Sequence, residues 1–442
     1  MRLKSTVIEK SPLGADRVRL LGDVTYQDGT DEQFWFDVRR EHAEELSTSG
    51  NPWLTTLLPL AVCTHEPLEI TVPVDRLMYE NIRELMYVWR GWYPDLPLVE
   101  IKADVADDVP EPERPNTGQF FTGGVDSLFT ALRHTRSFTP DAPFEIDDLI
   151  SICGYDIPLR NAENYMGRYA RQQRFAAEAG KGLIDIYTNT RETIIARIRK
   201  VGRTDSSMWG RISHACGLAG LAHVLEKRFR KVLVSSSYTY SEFSGVPYGT
   251  SPLTDHLGSS RKLNIFHYGS GFTRAEKVLY IAPSDVALDT LQVCFHNQDE
   301  KNCGWCLKCL QTMIPLEIAG ALGRAKTFPG DTLDLDRVGR ILTEDIQLPF
   351  IQELRDLARE KGKVELARAL DKSFERAELL RRRRKLKDWL TTKPVIWRFA
   401  GPLRKSIRKM QAESVVWEPS AVQKAAAEAN GSSARETSDS AA

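Results

Sequence analysis

The chain has 442 residues, 42% of them hydrophobic, and its 60 Lys and Arg residues are balanced by 60 Asp and Glu. That length exceeds one small core and predicts two or three domains, while the even charge excludes the overall basic excess of a protein that wraps nucleic acid. No apolar run approaches the roughly 18 to 20 residues needed to cross a bilayer, and the opening "MRLKSTVIEK" lacks a secretory apolar stretch; a cytoplasmic protein is expected.

Residues 1–110 read as a separate β-rich domain of unknown role. "FWFDV" puts Phe34, Phe36 and Val38 on one face of a strand, and "LEITVPV" does the same for Leu68, Ile70, Val72 and Val74. The stretch "DVADDVPEPERPNTG" is rich in Asp, Glu and Pro and lacks periodicity, which predicts an exposed linker ending near Thr117.

From there strands and helices alternate. A short strand at Gln119–Thr122 precedes a helix from Asp126, then come strand "LISICGY", a helix around Tyr165–Ala177, strand "LIDIYT", a helix across Ser213–Lys227 and strand "KVLVSS". The pattern predicts an α/β fold, with a parallel sheet flanked by helices and ligands at the strand C-terminal ends, over residues 115–325. Residues 330–412 read as a helical extension that turns basic, with 13 basic and 2 acidic residues from Arg376 to Lys409. A solvated helix face is the default for that segment; RNA, an anionic membrane surface or an acidic protein partner are the alternatives. Residues 413–442 are small and polar and are expected to be disordered.

Between the Gln119 strand and the Asp126 helix lies "TGGVDS", residues 122–127. Two glycines let a backbone turn tightly and bring its N–H groups to a ligand, and the following helix adds its positive end, so the stretch forms an anion site suited to phosphate. Thr122, Gly123, Gly124, Val125, Asp126 and Ser127 are the candidate binding residues. The Thr122 and Ser127 hydroxyls donate to phosphate oxygens, while the Asp126 carboxylate caps the helix or holds Mg²⁺.

Four of the seven cysteines crowd into "CFHNQDEKNCGWCLKC" as Cys294-x8-Cys303-x2-Cys306-x2-Cys309. That spacing closes a tetrahedral thiolate shell around Zn²⁺, with Gly304 easing the first turn; an iron–sulfur cluster or His296 in place of one thiol are the alternatives. A closed shell makes the metal structural.

The loop resembles the Ser-Gly-Gly-x-Asp-Ser signature of the N-type ATP pyrophosphatases, with Thr122 in place of the first serine. Together with the Cys-x8-Cys-x2-Cys-x2-Cys site it is similar to the 7-cyano-7-deazaguanine synthase family over roughly residues 115–325. The resemblance implies a Rossmann-like, adenine nucleotide α-hydrolase-like fold and an enzyme that splits ATP into AMP and pyrophosphate. It would adenylate a carboxylate or amide-like oxygen of a small-molecule acceptor for attack by ammonia or another nitrogen nucleophile. Thr273, Arg274, Glu276 and Lys277 in "FTRAEKVLYI" resemble the Thr-Lys-x-Glu segment that this superfamily uses near its nucleotide, which makes Arg274 and Lys277, with Asp126 and Ser127, the candidate catalytic residues. The chain departs from the family after "KVLVSS", where "SYTYSEFSGVPYGTSPLTDHLGSS" replaces the segment that frames the deazapurine. Tyr238, Tyr240, Glu242, Asp255 and His256 are the substrate-contact candidates there.

Two other activities fit the same motifs. An RNA-modifying member would use Cys153 as a sulfur-relay thiol, against the plainer reading of a small residue filling a strand core. A catalytically degenerate member would sense nucleotide or scaffold a complex. His214 and His223, on the small-residue helix "HACGLAGLAH", read as packing residues and not as ligands.

Overall fold

The computed structural model describes residues 1–107, 115–201, 208–243, 248–294, 301–341, 348–391 and 401–412. They divide into two compact units, one made of Met1–Thr122 and Asp126–Gly271 and the other of Gly123–Val125 and the described residues from Phe272 onward.

The first unit carries all ten strands: β1 (Arg2–Lys10), β2 (Arg17–Thr25), β3 (Asp31–Arg39), β4 (Leu68–Asp75), β5 (Ile101–Ala106), β6 (Asn116–Phe120), β7 (Asp148–Cys153), β8 (Gly182–Thr188), β9 (Phe229–Ser235) and β10 (Asn264–Tyr268). They form one sheet in the order β10-β9-β6-β7-β8-β3-β2-β1-β4-β5. The N-terminal strands therefore do not form a sheet of their own. Phe36 and Asp37 of β3 pair antiparallel with Thr188 and Tyr187 of β8, joining them to the α/β strands. The linker also shrinks at both ends, because Ile101–Ala106 pairs in parallel with β4 and Asn116 already belongs to β6; its middle, 108–114, lies outside the described residues.

The five strands β10, β9, β6, β7 and β8 are mutually parallel. From β6 the chain steps outward through β7 and β8, then returns to β9 on the other side of β6 and ends at β10. The strand order thus reverses between β6 and β9, the place where an open parallel sheet leaves a crevice at its strand C-terminal ends. Burial on both faces explains why "DLISIC" in β7 is a nearly continuous apolar run.

Helices α1 (Asn51–Thr64), α2 (Arg76–Trp92), α3 (Val125–Arg133), α4 (Ala162–Ala179), α5 (Thr190–Lys200), α6 (His214–Val224) and the short α7 (Tyr240–Phe243) accompany the sheet. Thirteen of the fourteen residues of α1 are buried, so it shows no amphipathic period and no sequence pattern marked it. Its close neighbour is α6: a Cβ on Gly220 would come within 2.1 Å of the Thr56 hydroxyl, which is what the small residues of "HACGLAGLAH" permit.

The second unit is helical, with α8 (Arg274–Ile281), α9 (Asp285–Thr290), α10 (Leu307–Ile318), α11 (Leu335–Val338), α12 (Leu348–Glu360), α13 (Val364–Thr391) and α14 (Gly401–Ala412). Leu307, Leu310, Ile314, Ile351, Leu354 and Leu370 form the centre of its core. The expected helical extension, residues 330–412, covers this unit's α11 to α14, and residues 413–442 lie outside the described part. Among the described residues no helix is long and apolar enough to cross a membrane.

Candidate functional site

The glycine loop leaves the middle of the sheet at the reversal point. Beyond β6 the chain stays pinned for one more residue, because Phe121 donates its N–H to the Ile150 carbonyl at 2.7 Å and accepts from the Gln172 carboxamide at 3.2 Å. It then turns at Gly123, whose φ of +76° lies in the region that penalises every side chain, and enters α3 at Val125. The Gly123 carbonyl accepts the Gln292 N–H at 2.8 Å, fixing the turn to the segment that leads into Cys294.

Two hydroxyls meet behind the turn. Ser127 Oγ lies 3.3 Å from Thr122 Oγ1 and accepts the Thr122 N–H at 3.3 Å, and the Gln119 carboxamide holds the Ser127 carbonyl at 2.7 Å. Ser127 is 4% exposed, whereas Thr122 is exposed and Gly124 and Asp126 are half-buried. Asp126 sits in the first turn of α3, where the helix dipole favours negative charge. Burial, Glu242 and then Asp126 raise the Tyr238 phenol above its usual range, so a tyrosine of the divergent segment lies within the field of the Asp126 carboxylate.

At α8, Thr273 and Glu276 form a capping box. The Thr273 hydroxyl accepts the Glu276 N–H at 3.2 Å and the Glu276 carboxylate accepts the Thr273 N–H at 2.7 Å. Thr273 also donates to Glu353. Arg274 donates to Thr312 Oγ1 at 3.2 Å, and Lys277 is only 1% exposed.

The four cysteine sulfurs come together within 4.8 Å of one another. Cys294 and Cys306 are 3.9 Å apart, Cys303 and Cys309 3.7 Å, and Cys306 and Cys309 3.4 Å. A tetrahedral shell with metal–sulfur bonds of about 2.3 Å sets its sulfurs about 3.8 Å apart, so the group fits a single ion. Gly304, φ +75°, makes the turn between Cys303 and Cys306, and the Cys306 N–H points to the Cys303 sulfur at 3.3 Å. Crowding by the neighbouring thiols, Cys294 foremost, drives the Cys306 and Cys309 thiols far above their usual range; a bound cation reverses that, since a coordinated thiol is deprotonated. His296 lies outside the described residues.

Asn302 was not among the expected site residues. It is 2% exposed, and its side-chain oxygen accepts the N–H groups of Val293 and Cys294 at 2.8 and 3.0 Å while its nitrogen donates to the Leu291 carbonyl and the Thr327 hydroxyl at 2.9 and 3.0 Å. It fastens the distant first cysteine to the knuckle carrying the other three.

The divergent segment separates its candidates. Tyr240 is 65% exposed and His256 is exposed, but Asp255 is 3% exposed and bonds to Ser251 and His267. Glu242 accepts from the Thr239 N–H at 2.6 Å. Burial pushes the Cys153 thiol up to about 12, so it is protonated where a relay would need a thiolate. His223 bridges Glu226 and the Gly258 carbonyl at 3.0 and 2.9 Å, and His214 bonds Thr250 at 2.5 Å; neither joins a metal-ligand group among the described residues.

No protein-family model, curated protein or solved structure matches this chain.

Proposed function

We propose that the chain is a pyrophosphate-loop ATP pyrophosphatase of ligase type, with the Rossmann-like fold of the adenine nucleotide α-hydrolases. It would convert ATP to AMP and pyrophosphate while adenylating a carboxylate or amide-like oxygen for attack by a nitrogen nucleophile, as in the 7-cyano-7-deazaguanine synthases it resembles. The observation that carries the reading is the Gly123 turn at the reversal point of the parallel strands, with the Thr122 and Ser127 hydroxyls converging at 3.3 Å beside the start of α3.

In this reading the loop N–H groups from Gly123 to Ser127 and the two hydroxyls hold the β- and γ-phosphates. Asp126 holds Mg²⁺, which supplies charge neutralisation when bound. Arg274 and Lys277 offset the negative charge that gathers as the acceptor oxygen attacks the α-phosphorus and pyrophosphate leaves. An ionised carboxylate needs no general base for that step. The thiolates of Cys294, Cys303, Cys306 and Cys309 hold Zn²⁺ in a closed, structural shell. Sulfurs this close suit one shared ion better than a cluster in which each thiolate binds its own iron.

The test is ³¹P NMR of the full chain with Mg²⁺-ATP and a small-molecule extract of its host. AMP and pyrophosphate that depend on the extract and vanish in Asp126→Ala are the expected products. ADP and phosphate, or no turnover while ATP stays bound, would overturn adenylation and leave a nucleotide-binding scaffold.

A further inference from the structure

A second constellation stands in the first unit, at the C-terminal end of β10. His267 Nδ1 donates to Asp255 Oδ2 at 2.7 Å, and His267 Nε2 lies 3.0 Å from Ser270 Oγ. Asp255 is itself held, since its other oxygen accepts the Ser251 N–H at 2.9 Å. The His267 side chain is 5% exposed, and the Asp255 side chain 1%. A carboxylate that fixes one ring nitrogen of a histidine while the other faces a serine hydroxyl is the arrangement that turns a serine into a nucleophile, on whatever fold it occurs.

The surroundings of Ser270 add to this. It follows β10 in "YGSGF", at a strand end, where the sharp turns of serine nucleophiles are found. Its hydroxyl has a second neighbour, Ser236 Oγ at 2.9 Å, and Ser236 in turn donates to the Tyr238 carbonyl at 2.6 Å. The Ser270 proton therefore has two places to go, and rotation toward His267 Nε2 frees the oxygen lone pairs. The next residue, Gly271, is exposed, its N–H makes no hydrogen bond among the described residues, and a Cβ built on it would meet no atom within 4 Å. The N–H after the nucleophile is the donor that serine acyltransferases use for the developing oxyanion.

We propose that Ser270 is an acyl-accepting nucleophile, with His267 as its base and Asp255 as the residue that positions the base, acting on an activated carboxylic acyl group such as an ester or thioester. Ser270 Oγ bonds to the acyl carbon as its proton passes to His267 Nε2; the bond to the leaving oxygen or sulfur then breaks and His267 returns the proton to it. Water resolves the acyl-serine by the reverse proton path: its proton goes to His267, its oxygen to the acyl carbon, and Ser270 regains a proton as the carboxylic acid departs. Ser270 itself is 2% exposed, so the reagent must approach from the Gly271 side.

The experiment treats the full chain with diisopropyl fluorophosphate and maps the adduct by peptide mass spectrometry. No ATP or acceptor is needed, so the result is independent of the adenylation reading. The expected result is one diisopropylphosphoryl group on Ser270, absent in Ser270→Ala, at least about 100-fold slower in His267→Gln, and slower in Asp255→Asn with an altered pH–rate profile. Circular dichroism confirms that each variant is folded. No adduct on Ser270 in folded protein at millimolar reagent, or an equal rate in His267→Gln, would overturn the proposal and leave Asp255, His267 and Ser270 as a structural hydrogen-bond chain.

Discussion

The side-chain oxygen of Asn302 accepts the backbone N–H of Cys294 at 3.0 Å, eight residues away along the chain. The other three cysteines lie within seven residues of one another and are brought together by one local turn, whereas Cys294 is tied to that turn through Asn302, which grips its backbone. Asn302→Ala removes four hydrogen bonds without touching a sulfur. Outer-shell partners of this kind are worth roughly 10- to 100-fold in metal affinity, and a loss of that size is expected in competition titrations against a chromophoric zinc chelator. Unchanged affinity would show that the knuckle holds Cys294 without it.

The metal itself is expected to matter most for the second unit. Cys309 is fully buried on α10, between Leu307 and Leu310 of the unit's core. Cys309→Ser should lower bound zinc from about one equivalent to near zero by inductively coupled plasma mass spectrometry. Removing zinc from the native chain with a chelator should lower its thermal midpoint, and restoring zinc should recover it. A chelator-treated protein with an unchanged midpoint would contradict a structural metal.

Gly123 is the backbone pivot of the loop proposed to hold the phosphates. At φ +76° an added methyl group costs about 1 to 2 kcal/mol, so Gly123→Ala should lose roughly that much stability in urea unfolding and should also weaken ATP binding, because relieving the strain moves the loop N–H groups. A variant of native stability that binds ATP normally would show that the turn serves neither purpose.

What the sequence revealed was local. "TGGVDS" is legible because a tight turn into a helix needs glycine and a first-turn acid at fixed positions, and the cysteine spacing is legible because three of the ligands share one loop. Features made by distant parts of the chain were not legible. The pairing of Phe36 with Thr188 that merges the N-terminal strands into the main sheet joins residues far apart in sequence, and no periodicity encodes it. Helix α1 was invisible because burial on all sides erases the 3.6-residue pattern. Residues 104–106 look like the start of the linker because "DVADD" is acidic and lacks periodicity, but they end β5, an edge strand, where charge is tolerated. Asp255, His267 and Ser270 occupy a short turn, a strand and a strand end, with nothing in their spacing to connect them.

His134 is fully buried, stacked on Phe144 at 4.0 Å and edge-on to Tyr268 at 4.3 Å. Burial first, then Arg133, lowers its pKa from 6.5 to about 4. The folded state therefore holds the ring neutral in the range where the unfolded chain protonates it. The unfolded state binds the extra proton between those two values, so stability rises with pH across that window. His134 makes its full contribution above pH 6.5, loses it progressively as the pH falls, and adds no further loss below about 4. A displacement of this size corresponds to at most about 3 kcal/mol. His134→Phe keeps a stacked aromatic ring and removes the titration, so urea unfolding of the two proteins should diverge as the pH drops from 7 toward 4.5, with the native chain losing more. Parallel pH profiles would mean that His134 is protonated in the fold or that its burial is relieved before the chain unfolds.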